Sequence, residues 1–304
     1  MALILAFLLQ DSFEMKDHGS SYLLHKPAAY TDQKAWPLVV HLEARGGKAS
    51  DGIERWRDRG FLVVAPVRRE MGREREAGFV RGCLQDAKAR VRVDPERVLL
   101  AGRDDAADLA ASLAASDPEL FAACAPFGLS AAPEVKGKPP PYHIVIRKEA
   151  ELRKKGREAA SALANAGADV LSRVGFDPEV EDEPKVLEWF ASKVKARGDL
   201  EAADRYLESR RYLDASLVCL GLLDRGEDEQ RQVRLLLRKI EAAGIVTLGS
   251  VEVALSDRKY LDAWLRCRDA AAEYAWLPVG EKIRKRLGEL ESDARVRKAR
   301  EIED

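Results

Sequence analysis

The sequence predicts an α/β protein, a mainly parallel sheet flanked by helices, followed by an all-α region of helical repeats. Three observations carry this. Short continuous apolar runs alternate with helical patterns from Ser21 to about Phe190, the β pattern stops after Lys195, and a nine-residue segment recurs 48 positions on within the remainder. Continuous apolar runs of strand length mark strands covered on both faces, and regular strand–helix alternation feeds a parallel sheet. With 304 residues the chain can hold two domains, each with its own core. The expected division is 1–20 as a signal or N-terminal extension, 21–195 as the α/β domain and 196–304 as the helical domain.

The opening run MALILAFLLQ is apolar but far short of the roughly 20 residues a membrane span needs. It fits the hydrophobic part of a short secretory signal, with Gln10-Asp11 opening the mature chain. It lacks the usual basic start and small-x-small cleavage site. A first strand docking on the core fits it too, and exported and cytoplasmic placements stay equally open.

Strands are expected at Tyr22–His25, Pro37–Leu42, Phe61–Pro66, Arg97–Ala101 and His143–Ile146, with a weaker one at Asp169–Val174. Helical patterns lie between or after them at Ser50–Arg59, Gly78–Val91, Asp105–Ser116, Glu149–Ala166 and Pro184–Lys195. Pro139-Pro140-Pro141 is a stiff lead-in to a strand. The charged run from Arg68 to Glu76 reads as a solvated loop of alternating sign, with selection of acidic peptide groups as the sharper alternative.

In the helical region, Arg211-Tyr212-Leu213-Asp214-Ala215-Ser216-Leu217-Val218-Cys219 is echoed by Lys259-Tyr260-Leu261-Asp262-Ala263-Trp264-Leu265-Arg266-Cys267. Tyr, Leu, Asp, Ala, Leu and Cys recur in register, which implies duplicated helical hairpins. The small Ala after each aromatic lets a neighbouring helix approach, and Cys219 and Cys267 are expected as small buried hydrophobes. Pro278 suits the first turn of a last helix.

Composition excludes several functions. Fifty-one basic and 52 acidic residues leave a net charge of -1, so there is no global field for nucleic acid or an anionic membrane. The four cysteines form no Cys-x-x-Cys pair, which disfavours a zinc site or a disulfide scaffold. Gly46-Gly47-Lys48 does not complete a phosphate-binding loop. No cofactor or metal is expected.

The first domain resembles the α/β-hydrolases, near the esterase and polyhydroxybutyrate-depolymerase-like branch. The resemblance rests on Tyr22–Pro27 with Trp36–Leu42, on Phe61–Pro66, on Val93–Gly102 and on Asp117–Ala123 with Ala125-Pro126, in that order over about 170 residues. It implies a nucleophile elbow, Gly-x-Ser-x-Gly, on a strained strand-to-helix turn whose next amide helps hold the oxyanion. Here the elbow reads Gly102-Arg103-Asp104-Asp105-Ala106. A carboxylate at the serine position cannot perform serine hydrolysis.

The other implied parts are also altered. The oxyanion loop reads Glu43-Ala44-Arg45-Gly46-Gly47, so Gly46, Gly47 and the amide of Asp105 are its remnant. The triad acid falls near Glu149, and the expected histidine falls near Asp177, a poor base at neutral pH. The histidines are His18, His25, His41 and His143, and none follows the last strand. Some α/β-hydrolases use Asp as nucleophile, yet they too need that histidine. Ser112, Ser116 and Ser130 lie near the elbow without flanking glycines.

The bland account of each residue is structural. Asp104 tolerates turn geometry and would cap the helix that follows. Asp104, Asp105, Asp108 and Asp177 could cluster around a divalent cation, but salt bridges with Arg103 and Arg147 are the simpler fate. His41 and His143 read as satisfied structural histidines. The expectation is a hydrolase fold without its hydrolysis, with the tetratricopeptide-like helical region presenting a groove to a protein partner. The alternatives are surviving hydrolysis of small esters or peptides, and a domain that binds a small ligand in the old pocket.

Overall fold

The computed structural model describes residues 10–15, 20–33, 35–56, 59–135, 137–176, 186, 189–190, 200–223 and 227–301. They fall into two compact units: the described residues within 1–32, 36–87 and 93–197 form the first, and those within 33–35, 88–92 and 198–304 the second.

The first unit is built on an eight-stranded sheet. In chain order come β1 (Gln10–Met15), β2 (Ser20–His25), β3 (Trp36–Leu42), β4 (Leu62–Pro66), β5 (Val93–Arg103), β6 (Ala123–Phe127), β7 (Tyr142–Arg147) and β8 (Val170–Phe176). Their spatial order is β1-β2-β4-β3-β5-β6-β7-β8. β1 and β2 pair antiparallel, as do β2 and β4, and every later pairing is parallel. The crossover helices are α1 (Ala49–Trp56), α2 (Arg73–Arg90), α3 (Asp105–Ser116) and α4 (Ala150–Asn165). β4 and β6 are buried at every position, as strands between helical layers must be.

Two expectations need correcting here. The sequence pattern predicts no strand at β6, because Ala-Cys-Ala-Pro-Phe is poor in β-branched residues and carries a proline. The run from Arg68 to Glu76 is not wholly a solvated loop: α2 begins at Arg73, and the side chains of Arg68 and Glu76 are 3% and 2% exposed, paired at 2.6 Å. The Pro184–Lys195 helix lies mostly outside the described residues, although Val186, Trp189 and Phe190 are buried beside Trp56 and Val145. The run at 1–9 also lies outside them, and the first described strand starts at Gln10.

The second unit is helical: α5 (Leu200–Glu208), α6 (Tyr212–Leu222), α7 (Glu227–Ser256), α8 (Tyr260–Glu273), α9 (Pro278–Ser292) and α10 (Ala294–Glu301). The sequence echo is also a backbone echo. α5 and α7 each end in a left-handed arginine, Arg210 at φ 58° and Arg258 at φ 60°. The N–H of Arg211 reaches the carbonyl of Tyr206 and that of Arg210 reaches Leu207, while Lys259 and Arg258 repeat both bonds to Ala254 and Leu255. Each is a Schellman close that turns the chain into the next helix. Ala215, Ala263, Cys219 and Cys267 are all fully buried in one core.

The repeated aspartates have diverged. Asp214 is buried and accepts from Lys88 Nζ at 2.6 Å and from Arg211 Nε at 2.8 Å. Burial pushes its carboxyl up, but the two cations outweigh this and hold it below the usual range. Asp262 instead pairs with Arg266 on the surface. Among the described residues no helix is long and apolar enough to cross a membrane.

Candidate functional site

The parallel strands β5, β6 and β7 end at one edge of the sheet, and the elbow follows β5 there. Gly102 is required by the packing: a Cβ on it would lie 2.4 Å from the carbonyl oxygen of Ala106 and 2.7 Å from the Ala110 methyl. That close approach brings α3 directly onto the strand. Asp104 then turns the chain with φ 52° and ψ −119°, a region costing a non-glycine residue on the order of 1–3 kcal/mol. Its N–H donates to the Phe127 carbonyl at 2.9 Å, and its carbonyl accepts from Ala107 at 3.0 Å.

The Asp104 carboxylate makes no cap bond to α3, so the capping role expected of it is wrong. It pairs instead with the guanidinium of Arg147, at the tip of β7. β7 is held level with β5 through β6, with Arg103 in register with Phe127 and Phe127 with Val145. Arg147 therefore stands two residues above Arg103 and leans over the elbow. Its Nη1 is also 3.5 Å from Glu149 Oε1. One guanidinium joins the positions to which the resemblance assigns nucleophile and acid.

The loop after β3 is tied down by a second network. Gly47 closes its turn with an N–H bond to Ala44, and a Cβ there would lie 2.6 Å from Glu43 Cγ. The Arg45 N–H donates to Asp105 Oδ1 at 2.9 Å, and Arg68 Nη2 donates to Asp105 Oδ2 at 3.0 Å. Arg68 also donates to the Glu43 carbonyl at 2.6 Å. A loop amide of the kind that would bind an oxyanion is thus already bound to a resident carboxylate.

Beneath the loop runs a buried relay. The Trp56 indole N–H donates to His41 Nδ1 at 2.9 Å, which leaves the imidazole proton on Nε2, 3.2 Å from Glu43 Oε2. Burial raises the Glu43 carboxyl, but the His41 bond with Arg55 and Arg103 nearby outweighs it and lowers the group from 4.5 to about 2. Arg103, expected beside the elbow aspartates, lies 3.7 Å from Glu43 instead. His41 is fully buried with both ring nitrogens engaged, so it cannot activate a water. His143 lies four residues back from the β7 tip, about 13 Å of strand, with its ring against Trp189.

The elbow aspartates do not converge. Asp104 goes to Arg147 and Asp105 to Arg45 and Arg68, while Asp108 accepts from the Ser130 hydroxyl at 2.6 Å. Asp177 lies outside the described residues. Among the described residues no group of three His, Cys, Asp or Glu could hold a metal ion. Ser112 accepts from Arg73 at 2.6 Å and Ser116 bonds back to the Ser112 carbonyl, so neither faces a base.

No family model and no curated protein matches the sequence. Solved structures do. The chain superposes on a fungal esterase from Rhizomucor miehei with a TM-score of 0.51 at 12% identity, covering 63% of this chain and 87% of that one. The fold is that of the α/β-hydrolases. A thermostable esterase gives a TM-score of 0.47 at 19% identity over 66% of this chain, and the match spans 62% of that esterase's length. S-formylglutathione hydrolase from Staphylococcus aureus gives 0.49 at 10% identity, covering 60% of this chain and 97% of that one. Within this α/β-hydrolase fold, the residues that sequence reasoning missed are Arg45 and Arg68. Their partners lie 60 and 37 positions away, and only the charge of each residue was visible.

Proposed function

We propose that this chain is a catalytically degenerate member of the α/β-hydrolase fold whose role is protein interaction or scaffolding, with a protein partner engaged through the helical unit. The observation that carries the reading is the Arg147 guanidinium bridging Asp104 and Glu149. A nucleophile works through a neighbouring base, and here its position holds a carboxylate neutralised by a fixed cation. The Arg45 amide bound to Asp105 supports the same reading, since an occupied donor stabilises no developing charge.

A second reading is favoured by one observation. Asp104 keeps the strained backbone of a presented elbow residue, as an Asp-nucleophile hydrolase would need. Turnover of p-nitrophenyl acetate and butyrate by the full chain, beside Asp104→Ala and Asp104→Ser, separates the two. The scaffold reading expects no turnover by any of them. Turnover by wild type that disappears in Asp104→Ala would install Asp104 as a nucleophile.

A further inference from the structure

α7 is 30 residues long, about 45 Å, and one face of it is uncovered. Leu235, Ala242, Ile245, Val246, Gly249 and Val253 fall on that face, within an arc of about 100° at 3.6 residues per turn. Val246 is 73% exposed, Val253 62%, Ile245 56% and Leu235 52%. A Cβ on Gly249 would meet nothing within 4 Å, so the middle of the face is low and open. Isolated exposed apolar residues are ordinary, whereas a row of them along one long helix marks an interface.

Charge and spacing identify the occupant. Positions 231–239 carry Arg231, Arg234, Arg238 and Lys239 and no acid, whereas 241–257 carry Glu241, Glu252 and Asp257 and no base, with Glu252 paired to Arg286 and Asp257 to Lys259 in the single chain. A segment that is basic over 231–239 and acidic over 241–257 is complementary to itself run backwards. A two-fold axis at Gly244 puts Leu235 opposite Val253, Ala242 opposite Val246 and Arg231 opposite Asp257. The small Ala242 leaves space for Val246, and the groove of about 560 Å³ lined by Arg231, Arg234, Leu235 and Arg238 lies where the other helix's Val253–Asp257 turn arrives. Antiparallel alignment also sets opposite helix dipoles side by side.

We infer that α7 pairs antiparallel with α7 of a second copy of this chain, about a two-fold axis near Gly244, making the protein a homodimer. This is independent of whether the elbow hydrolyses anything.

The test is sedimentation equilibrium of the full chain over a range of concentrations, on wild type and three variants. Wild type should sediment as a dimer. Val246→Glu should raise the dimer dissociation constant at least about tenfold, because it places two like charges beside the axis. Arg231→Asp sets Asp against Asp257 and should weaken the dimer, and Arg231→Asp combined with Asp257→Arg should restore it. All three positions are exposed, and an unchanged thermal midpoint of the helical unit shows that the variants fold. A wild type that is monomeric at every concentration overturns the proposal. So does a dimer indifferent to Val246→Glu, and failure of the double reversal to rescue overturns the antiparallel register. Dimers lost only at high salt would support the charge pairing.

Discussion

Asp104 holds its carboxylate on the Arg147 guanidinium while its own backbone stands at φ 52°, so one residue carries both an ion pair and a strained turn. The two contributions separate by mutation. Asp104→Ala and Asp104→Gly lose the same ion pair, but only alanine keeps the unfavourable backbone. Asp104→Gly should therefore be the more stable of the two by about 1 kcal/mol in urea unfolding. Equal stabilities would mean that the turn relaxes once the carboxylate is gone.

Glu43 should make the first unit acid-sensitive. Its folded value lies near 2, below the ordinary 4.5. A group depressed on folding contributes its full stabilisation above the unfolded value and loses it as pH falls towards the folded one. The stability difference between wild type and Glu43→Gln should be flat above about pH 5 and change by up to about 3 kcal/mol as pH falls from 4.5 through 2. A difference independent of pH across that window would contradict the His41–Glu43 arrangement.

Lys88 and Asp214 form a buried pair within the second unit. Lys88→Met should cost about 3–5 kcal/mol, since it strands a buried carboxylate with only Arg211 beside it. Lys88→Met with Asp214→Leu should regain most of that, because the charge that needed a partner is gone. Thermal unfolding of the single and double variants checks both.

Arg210 and Arg258 occupy the left-handed position that glycine fills most easily. Arg210→Gly and Arg258→Gly should each stabilise the helical unit by up to about 1 kcal/mol. Loss of stability in either would mean that the arginine side chain outweighs its backbone.

Much of the fold was legible because parallel strands and crossover helices leave local signatures. α3 lies at Asp105–Ser116 as read, and β3, β4 and β7 differ from expectation by a residue or so at their ends. β6 was illegible because burial between β5 and β7, rather than β propensity, makes Ala123–Phe127 a strand. The site divides the same way. Asp104 stands out by its place in a pentapeptide, whereas the Arg147 bridge depends on three strands being level at one edge. His41 read correctly as a buried structural histidine, but its link to Trp56 needed α1 folded back over β3.

The four cysteines serve a further purpose that needs no partner and no reaction. Each is a free thiol out of contact with solvent, Cys83 and Cys124 in the first unit and Cys219 and Cys267 in the second. Burial holds the last two up at about 12 and about 11. An alkylating reagent can reach any of them only when its surroundings open. The protein therefore carries two pairs of built-in clocks, and the labelling rate of each pair times the local opening of its own unit without any introduced probe.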